Sequence, residues 1–177
     1  MRQIATELPG ACLIELERHE DERGFFARTW CQHEFEEFGL DSHFVQCSVS
    51  FNRVAGTLRG MHYQQAPYEE SKLVRCVRGS IFDAIVDIRP GSPTFGSYAA
   101  FELNEENQLA IYIPKGFAHG FQTLSPNTEV LYQMSEFFHS DSARGFHHSD
   151  PSVGIAWPLP VAAISEKDAE LEKLAVE

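Results

Sequence analysis

Leu73-Val74-Arg75-Cys76-Val77, Arg78-Gly79-Ser80, Ile81-Phe82-Asp83-Ala84-Ile85-Val86-Asp87-Ile88 and Arg89-Pro90-Gly91-Ser92-Pro93 follow one another without a gap, and their reading decides the fold. Two short runs rich in branched and aromatic residues are each closed by turn residues, which is the pattern of strands and not of helices. The alternation continues towards the C-terminus, with further strand candidates at 97–103, 109–113, 121–124 and 128–138. Short strands at regular spacing with Gly and Pro turns indicate an all-β antiparallel sandwich or barrel, not alternating βαβ units. Two helices are expected outside this set. One spans 31–38 and ends at Gly39, a residue suited to the left-handed position after a helix. The other spans 165–175, opens on Ser165 as a candidate N-cap, and is rich in Glu, Lys, Leu and Ala. No repeat or linker interrupts the chain, so residues 1–177 are read as one domain.

Composition narrows the function. The formal net charge of −12 lacks the basic footprint of a general nucleic-acid binder. It leaves room for a nucleotide ligand, because a few local arginines hold a diphosphate whatever the global charge. Cys12, Cys31, Cys47 and Cys76 form no CxxC pair and spell neither a zinc site nor a disulfide framework. Neither a signal-peptide pattern nor an apolar run of membrane-spanning length is read in the sequence, so a cytoplasmic location is expected.

The functional signal lies in Arg59-Gly60-Met61-His62-Tyr63 and Pro114-Lys115-Gly116-Phe117-Ala118-His119-Gly120-Phe121, each with one histidine framed by glycine. Imidazole titrates near neutral pH, so two positioned histidines point first to proton transfer. Asp83 sits in an otherwise apolar run, and a buried carboxylate there needs a partner such as a histidine. If 128–138 is one unbroken strand, Val130, Tyr132, Met134, Glu136 and Phe138 share a face. Tyr132 and Phe138 then stand roughly 20 Å apart at about 3.3 Å per residue. That suits a long ligand with a reactive end and a planar end, and equally two aromatics filling a barrel core.

Taken together, the motifs resemble the dTDP-4-dehydrorhamnose 3,5-epimerase family. They run in order from Asp21-Glu22-Arg23-Gly24-Phe25-Phe26 through Leu58-Arg59-Gly60-Met61-His62-Tyr63, Lys72-Leu73-Val74-Arg75 and Arg78-Gly79-Ser80-Ile81-Phe82-Asp83. Gly91-Ser92-Pro93-Thr94-Phe95-Gly96, the segment 113–121, Gly154-Ile155-Ala156-Trp157-Pro158 and Ile164-Ser165-Glu166-Lys167-Asp168 complete the series. The resemblance implies a cupin-like antiparallel β-barrel (jelly roll) with a few short peripheral helices, and a homodimer with shared active sites. It implies no metal or other cofactor, and a nucleotide-diphosphate 4-keto-6-deoxyhexose as substrate in deoxysugar biosynthesis. It also implies roles for single residues. His62 is the expected general base, oriented by Asp168, and Tyr132 the general acid on the opposite face of the sugar. Lys72 stabilises the enolate oxygen, and Asp83 pairs with His119. Arg23, Arg59 and Lys167 hold the diphosphate or sugar, Phe138 stacks on the base, and Phe26, Arg28, Gln46 and Ser48 match further substrate positions.

The resemblance also exposes departures. Arg28 and Ala143 stand where the family carries glutamate, Gln46-Cys47-Ser48 replaces a Gln-Asp-Asn triplet, and His148-Ser149-Asp150 replaces a Trp-Asp-Asp run. Beyond neutral drift, the reversed hydrogen-bond polarity at Arg28 predicts a nucleotide other than dTDP, such as CDP or GDP. A non-catalytic cupin that binds a nucleotide sugar is a second class. A metal site is a third: metal-binding cupins usually carry an HxH pair, whereas Gln64 lies two residues after His62, leaving His62, His119 and Glu69 or Glu70 as conceivable ligands. His147-His148 on a strand would point to opposite faces and ligate poorly together.

Overall fold

The computed structural model describes residues 1–174. Six strands form one antiparallel sheet in the order β1 (Arg2–Ala5), β2 (Cys12–Glu15), β10 (Ala110–Ile113), β7 (Lys72–Arg78), β12 (Thr128–Met134) and β5 (Gln46–Asn52). Five form the second, in the order β13 (Ala143–Gly145), β6 (Leu58–Gln64), β11 (Phe117–Thr123), β8 (Ser80–Asp87) and β9 (Tyr98–Asn104). A separate hairpin pairs β3 (Arg18–Asp21) with β4 (Gly24–Ala27), and two short helices complete the order, α1 (Gln32–Glu37) and α2 (Glu166–Ala169). Two packed antiparallel sheets with crossed strand order are the antiparallel sandwich expected from the strand pattern, and the cupin-like jelly roll that the family resemblance implies.

The period of two along each strand builds the layers. Val74 and Cys76 of β7, Ile81 and Ile85 of β8, Phe117 and Phe121 of β11 and Val130 of β12 meet between the sheets. The alternate residues pack outward. Met61, Ala84, Val86 and Ala118 are covered by Phe146, Val153 and Ile155. Cys12, Ile14, Leu73, Ala110 and Tyr112 are covered by Phe35 of α1, with Trp30, Phe38 and Phe44 around it. The Lys72-Leu73-Val74-Arg75 motif is split by this alternation. Lys72 faces the cleft described below, while Arg75 on the other face is buried and donates to the carbonyls of Gln108 and Thr29.

Local chemistry explains the turns. Gly79 joins β7 to β8 at φ +77°, and an added Cβ would lie 2.5 Å from Thr128 Oγ1. Helix α1 ends as expected: Gly39 has φ +71°, its N–H donates to Glu36 O and the next N–H, of Leu40, to Phe35 O. That pair of bonds is a Schellman cap. Ser165 caps α2 by accepting from Asp168 N–H at 3.1 Å.

Two expectations are corrected. The strand expected over 128–138 ends at Met134. Past it, Ser135 N–H bonds Ser71 O, and the backbone of 137–139 is captured by glutamine side chains, which draws the chain off the ladder. The helix expected over 165–175 is confined to Glu166–Ala169. Residues beyond it bond back to the body of the protein instead, Glu172 O accepting from His147 N–H and Leu174 N–H reaching Asp150. Tertiary bonding there overrides a good helical composition; Ala175 lies outside the described residues.

The Gly91-to-Gly96 motif proves to be a scaffold. Asp87, fully buried, accepts from Arg89 N and Nε, Arg89 Nη2, Ser92 Oγ and Thr94 Oγ1 at 2.6–3.0 Å. Burial pushes its carboxyl up, but those donors outweigh it and hold the group well below the usual carboxylate range. Its stabilising contribution is therefore present above the ordinary carboxylate pKa and is lost only as pH falls through the depressed value. Replacing it, Asp87→Ala, is expected to cost about 3 kcal/mol, read as a lower urea midpoint at pH 7. An unchanged midpoint would contradict the anchoring role.

Candidate active site

Strands β6 and β11 bring the two glycine-framed histidines together. His62 and His119 are directly opposite in the antiparallel register, and a bulge follows between His119 and Phe121. The strands come so close that a Cβ on Gly60 would sit 2.5 Å from Gly120 Cα, so neither glycine has room for a side chain. On the neighbouring strand β8, Asp83 lies opposite Phe121, diagonal to His119. Cross-strand diagonals of this kind are within side-chain reach, and His119 Nε2 meets Asp83 Oδ2 at 2.8 Å with both residues buried.

His62 has its own carboxylate. Its Nε2 lies 2.8 Å from Asp168 Oδ1, and Asp168 Oδ2 accepts from Gly60 N–H at 3.3 Å. Asp168 is delivered by α2 and its Ser165 cap. The segment before it is tied to the second sheet by Leu58 N–H to Ala163 O and by Gln122, which bonds both N–H and carbonyl of Leu159.

These groups line one cleft at an end of the barrel. A cavity of about 330 Å³ is bounded by Ser48, Ser50, Arg59, His62, Lys72, His119, Tyr132 and Asp168. It shares Ser48, His62, Lys72 and Tyr132 with an adjoining cavity of about 350 Å³, which runs on to Gln46, Phe138, Ala143, Arg144 and Lys167. Tyr132 and Phe138 thus face the same cleft even though no single strand carries both. Arg59, Lys72, Arg144 and Lys167 place four cations along it. In a chain of net charge −12, that local cluster is what an anionic diphosphate requires.

The electrostatics suit proton transfer. Burial pushes the His62 imidazole below its ordinary value; Asp168 opposes this, and nearby Lys72 and His119 add to it. The ring is therefore neutral at pH 7, and its bond to Asp168 favours the Nε2–H tautomer, leaving Nδ1 with a lone pair. Burial pushes the Tyr132 phenol far above its usual value, and the charge of Asp83 raises it further. The phenol stays protonated and remains a donor.

Of the residues singled out from the sequence, His62, Lys72, His119, Tyr132, Asp168, Arg59, Gln46, Ser48, Phe138 and Lys167 line the cleft, with Asp83 directly behind His119. Arg23, Phe26 and Arg28 do not line the cleft of their own chain. Arg23 is exposed on the β3–β4 turn and pairs with Asp21, Phe26 is exposed on β4, and Arg28 pairs with Glu34 at 2.7 Å. The reversed polarity at Arg28 is thus not presented to its own cleft, whereas Ser48 and Ala143, two other departures, are. Sequence reasoning named Glu70 only as a conceivable metal ligand and Gln64 only as the break in an HxH pair; it missed that Glu70 meets Lys72 Nζ at 3.0 Å and that Gln64 and Arg144 line the cleft. The signal for Glu70 was its two-residue spacing from Lys72. Among the described residues no group of three or more His, Cys, Asp or Glu side chains is arranged to hold a metal. His147 and His148 lie off any strand, and their rings stand side by side at 4.4 Å instead of on opposite faces. Among the described residues no helix is long and apolar enough to cross a membrane.

Known proteins resemble the chain over nearly its whole length. The family model described as dTDP-4-dehydrorhamnose 3,5-epimerase matches residues 5–176. The protein of that name from Shigella flexneri is 44% identical over 174 residues, covering 98% of this chain and 96% of its own. The crystal structure of the Bacillus anthracis enzyme with TDP and pyrophosphate bound has a TM-score of 0.95 at 38% identity, covering 98% and 99% of the two chains. That of the Legionella pneumophila enzyme with dTDP-4-keto-L-rhamnose has a TM-score of 0.92 at 39% identity, covering 97% and 92%. This chain belongs to the dTDP-4-dehydrorhamnose 3,5-epimerase family.

Proposed function

We propose that the cleft inverts C3, C5 or both of a dTDP-linked 4-keto-6-deoxyhexose, within deoxysugar biosynthesis of the dTDP-rhamnose kind. The C4 ketone acidifies its neighbouring C–H bonds, because the carbanion formed on losing a proton is an enolate. Inversion removes a proton from one face and returns one to the other, so the sugar keeps its oxidation state and needs no redox partner. A single base would mostly return the proton to the face it left. The observation that carries the reading is a carboxylate-held His62 and a Tyr132 that line the same cavity with Lys72.

In this reading His62 Nδ1 takes the proton and Asp168 stabilises the imidazolium that forms. Tyr132 donates from the opposite face. The Lys72 ammonium meets the charge that develops on the C4 oxygen, where a preorganised cation acts most strongly. His119, whose Nε2–H is held by Asp83, accepts from a sugar hydroxyl through Nδ1. Arg59 and Lys167 take the diphosphate, with Gln46 and Ser48 beside them, and Phe138 stacks on the base. The named relatives support dTDP as the nucleotide carrier.

The active form in this reading is a cytoplasmic homodimer of one-domain chains. The β3–β4 hairpin presents Arg23, Phe25 and Phe26 to solvent with little of its own chain behind them, and the outward side of β5 exposes Val49 and Phe51. Exposed apolar surface of this kind marks an interface. A partner's hairpin would add Arg23, Phe26 and Arg28 to the cleft.

Wild-type protein in deuterated water is expected to place label at C3 or C5 of such a sugar, and no label with any sugar nucleotide would overturn the enzyme reading. His62→Ala should lower kcat roughly 10²- to 10⁴-fold while leaving dTDP affinity within a few-fold by calorimetry. CDP or GDP binding more tightly than dTDP would overturn the nucleotide assignment. Because His62 acts unprotonated, kcat/KM should rise with pH through a midpoint below the ordinary imidazole value of about 6.5. Asp168→Asn, which removes the group opposing the effect of burial, should move that midpoint lower still. An acid limb above about 7 would contradict the assignment. Light scattering should report a dimer, and a fully active monomer would remove the shared-site arrangement.

A further inference from the structure

Gln64 is 5% exposed, and every polar atom of its side chain is engaged. Its Nε2 shares two protons among three acceptors, Tyr68 O at 3.0 Å, Phe137 O at 3.1 Å and Glu70 Oε2 at 3.3 Å. Its Oε1 accepts from His139 N–H at 2.6 Å. The intervening residue is Phe138, so Gln64 holds the backbone on both sides of the aromatic ring, and Phe138 N–H itself is taken by Gln46 Oε1 at 2.6 Å. On the other side, the second oxygen of Glu70 is 3.0 Å from Lys72 Nζ, with both side chains only 11% exposed.

We propose that Gln64 is a positioning residue that couples the two ends of the cleft, fixing the Phe138 segment directly and the Lys72 ammonium through Glu70. The inference rests on the reading in which Phe138 faces the base and Lys72 the enolate oxygen. One amide thereby sets the distance between nucleotide grip and reacting carbonyl. Glu70 aims the ammonium by accepting one of its three protons and leaves the others for the substrate. Alignment at this scale governs rate: small misplacements of a catalytic group cost up to about a hundredfold.

Two near-isosteric variants separate this from a purely structural role. Gln64→Glu keeps the acceptor for His139 N–H but removes both donated protons and sets a second carboxylate against Glu70. It should weaken dTDP binding about tenfold and lower kcat roughly ten- to a hundredfold. Glu70→Gln alters the Lys72 side and leaves the bonds of Gln64 to the 137–139 backbone in place, so it should lower kcat about tenfold with dTDP affinity within a few-fold of wild type. If Gln64→Glu does not fold, Gln64→Met, matched in length, carries the same expected pair of losses. Calorimetry with dTDP, steady-state turnover of a dTDP-linked 4-keto-6-deoxyhexose and Tm are read on all proteins. A Gln64 variant that lowers Tm while the folded enzyme keeps wild-type kcat and affinity overturns the coupling, as does Glu70→Gln with wild-type kcat. A wild type that exchanges no C3 or C5 proton overturns the underlying reading and the coupling with it, whereas an active wild type with unaffected variants overturns the coupling alone.

Discussion

The close approach of β6 and β11 is the constraint on which the site depends, because it sets two histidines side by side at the mouth of a packed barrel. Gly60 and Gly120 leave no room between the strands for a side chain, and the register then places His62 against His119. Each histidine is completed from a different direction. The Asp83 carboxylate reaches His119 along the sheet from β8, while Asp168 reaches His62 from a short capped helix beyond it. The inward faces that carry Val, Ile and Phe through the core change to Ser, Lys, His and Tyr at this end. Fold and cleft are one alternating pattern with its chemistry switched at the rim.

That switch decides what could be read from the sequence. The strands of the middle and C-terminal part were legible because both faces are covered, which leaves compact runs of branched residues bounded by Gly and Pro. Strand β5 was not, because its inward residues Gln46, Ser48 and Ser50 face the cleft while outward Val49 and Phe51 face solvent. Its alternation is inverted relative to an ordinary half-buried strand. The β3–β4 hairpin is exposed along its length and carries no core signal at all. The helix over 165–175 failed for another reason: its composition is helical, but bonds to His147 and Asp150 draw residues after Ala169 away.

Site residues followed the same division. His62, His119, Tyr132 and Asp83 were visible as titratable groups set among glycine or apolar residues, and the family resemblance joined them to Lys72 and Asp168. Glu70 was named only as a conceivable metal ligand and Gln64 only as the break in an HxH pair, since the bonds that matter, to Lys72 and to the backbone around Phe138, form only in the fold. The departure at Arg28 reads as a change of nucleotide from the sequence; in the fold that guanidinium pairs with Glu34, away from the cleft of its own chain. Cations of the cleft, in contrast, stand out against an acidic chain of net charge −12.

The central claim is that His62 and Tyr132 work on opposite faces of the sugar. It is tested most directly by following both label and stereochemistry with Tyr132→Phe in deuterated water. The account predicts that this variant still exchanges the proton His62 removes but returns deuterium to the same face, so exchange proceeds with retention of configuration. Inversion at the wild-type rate by Tyr132→Phe would contradict it.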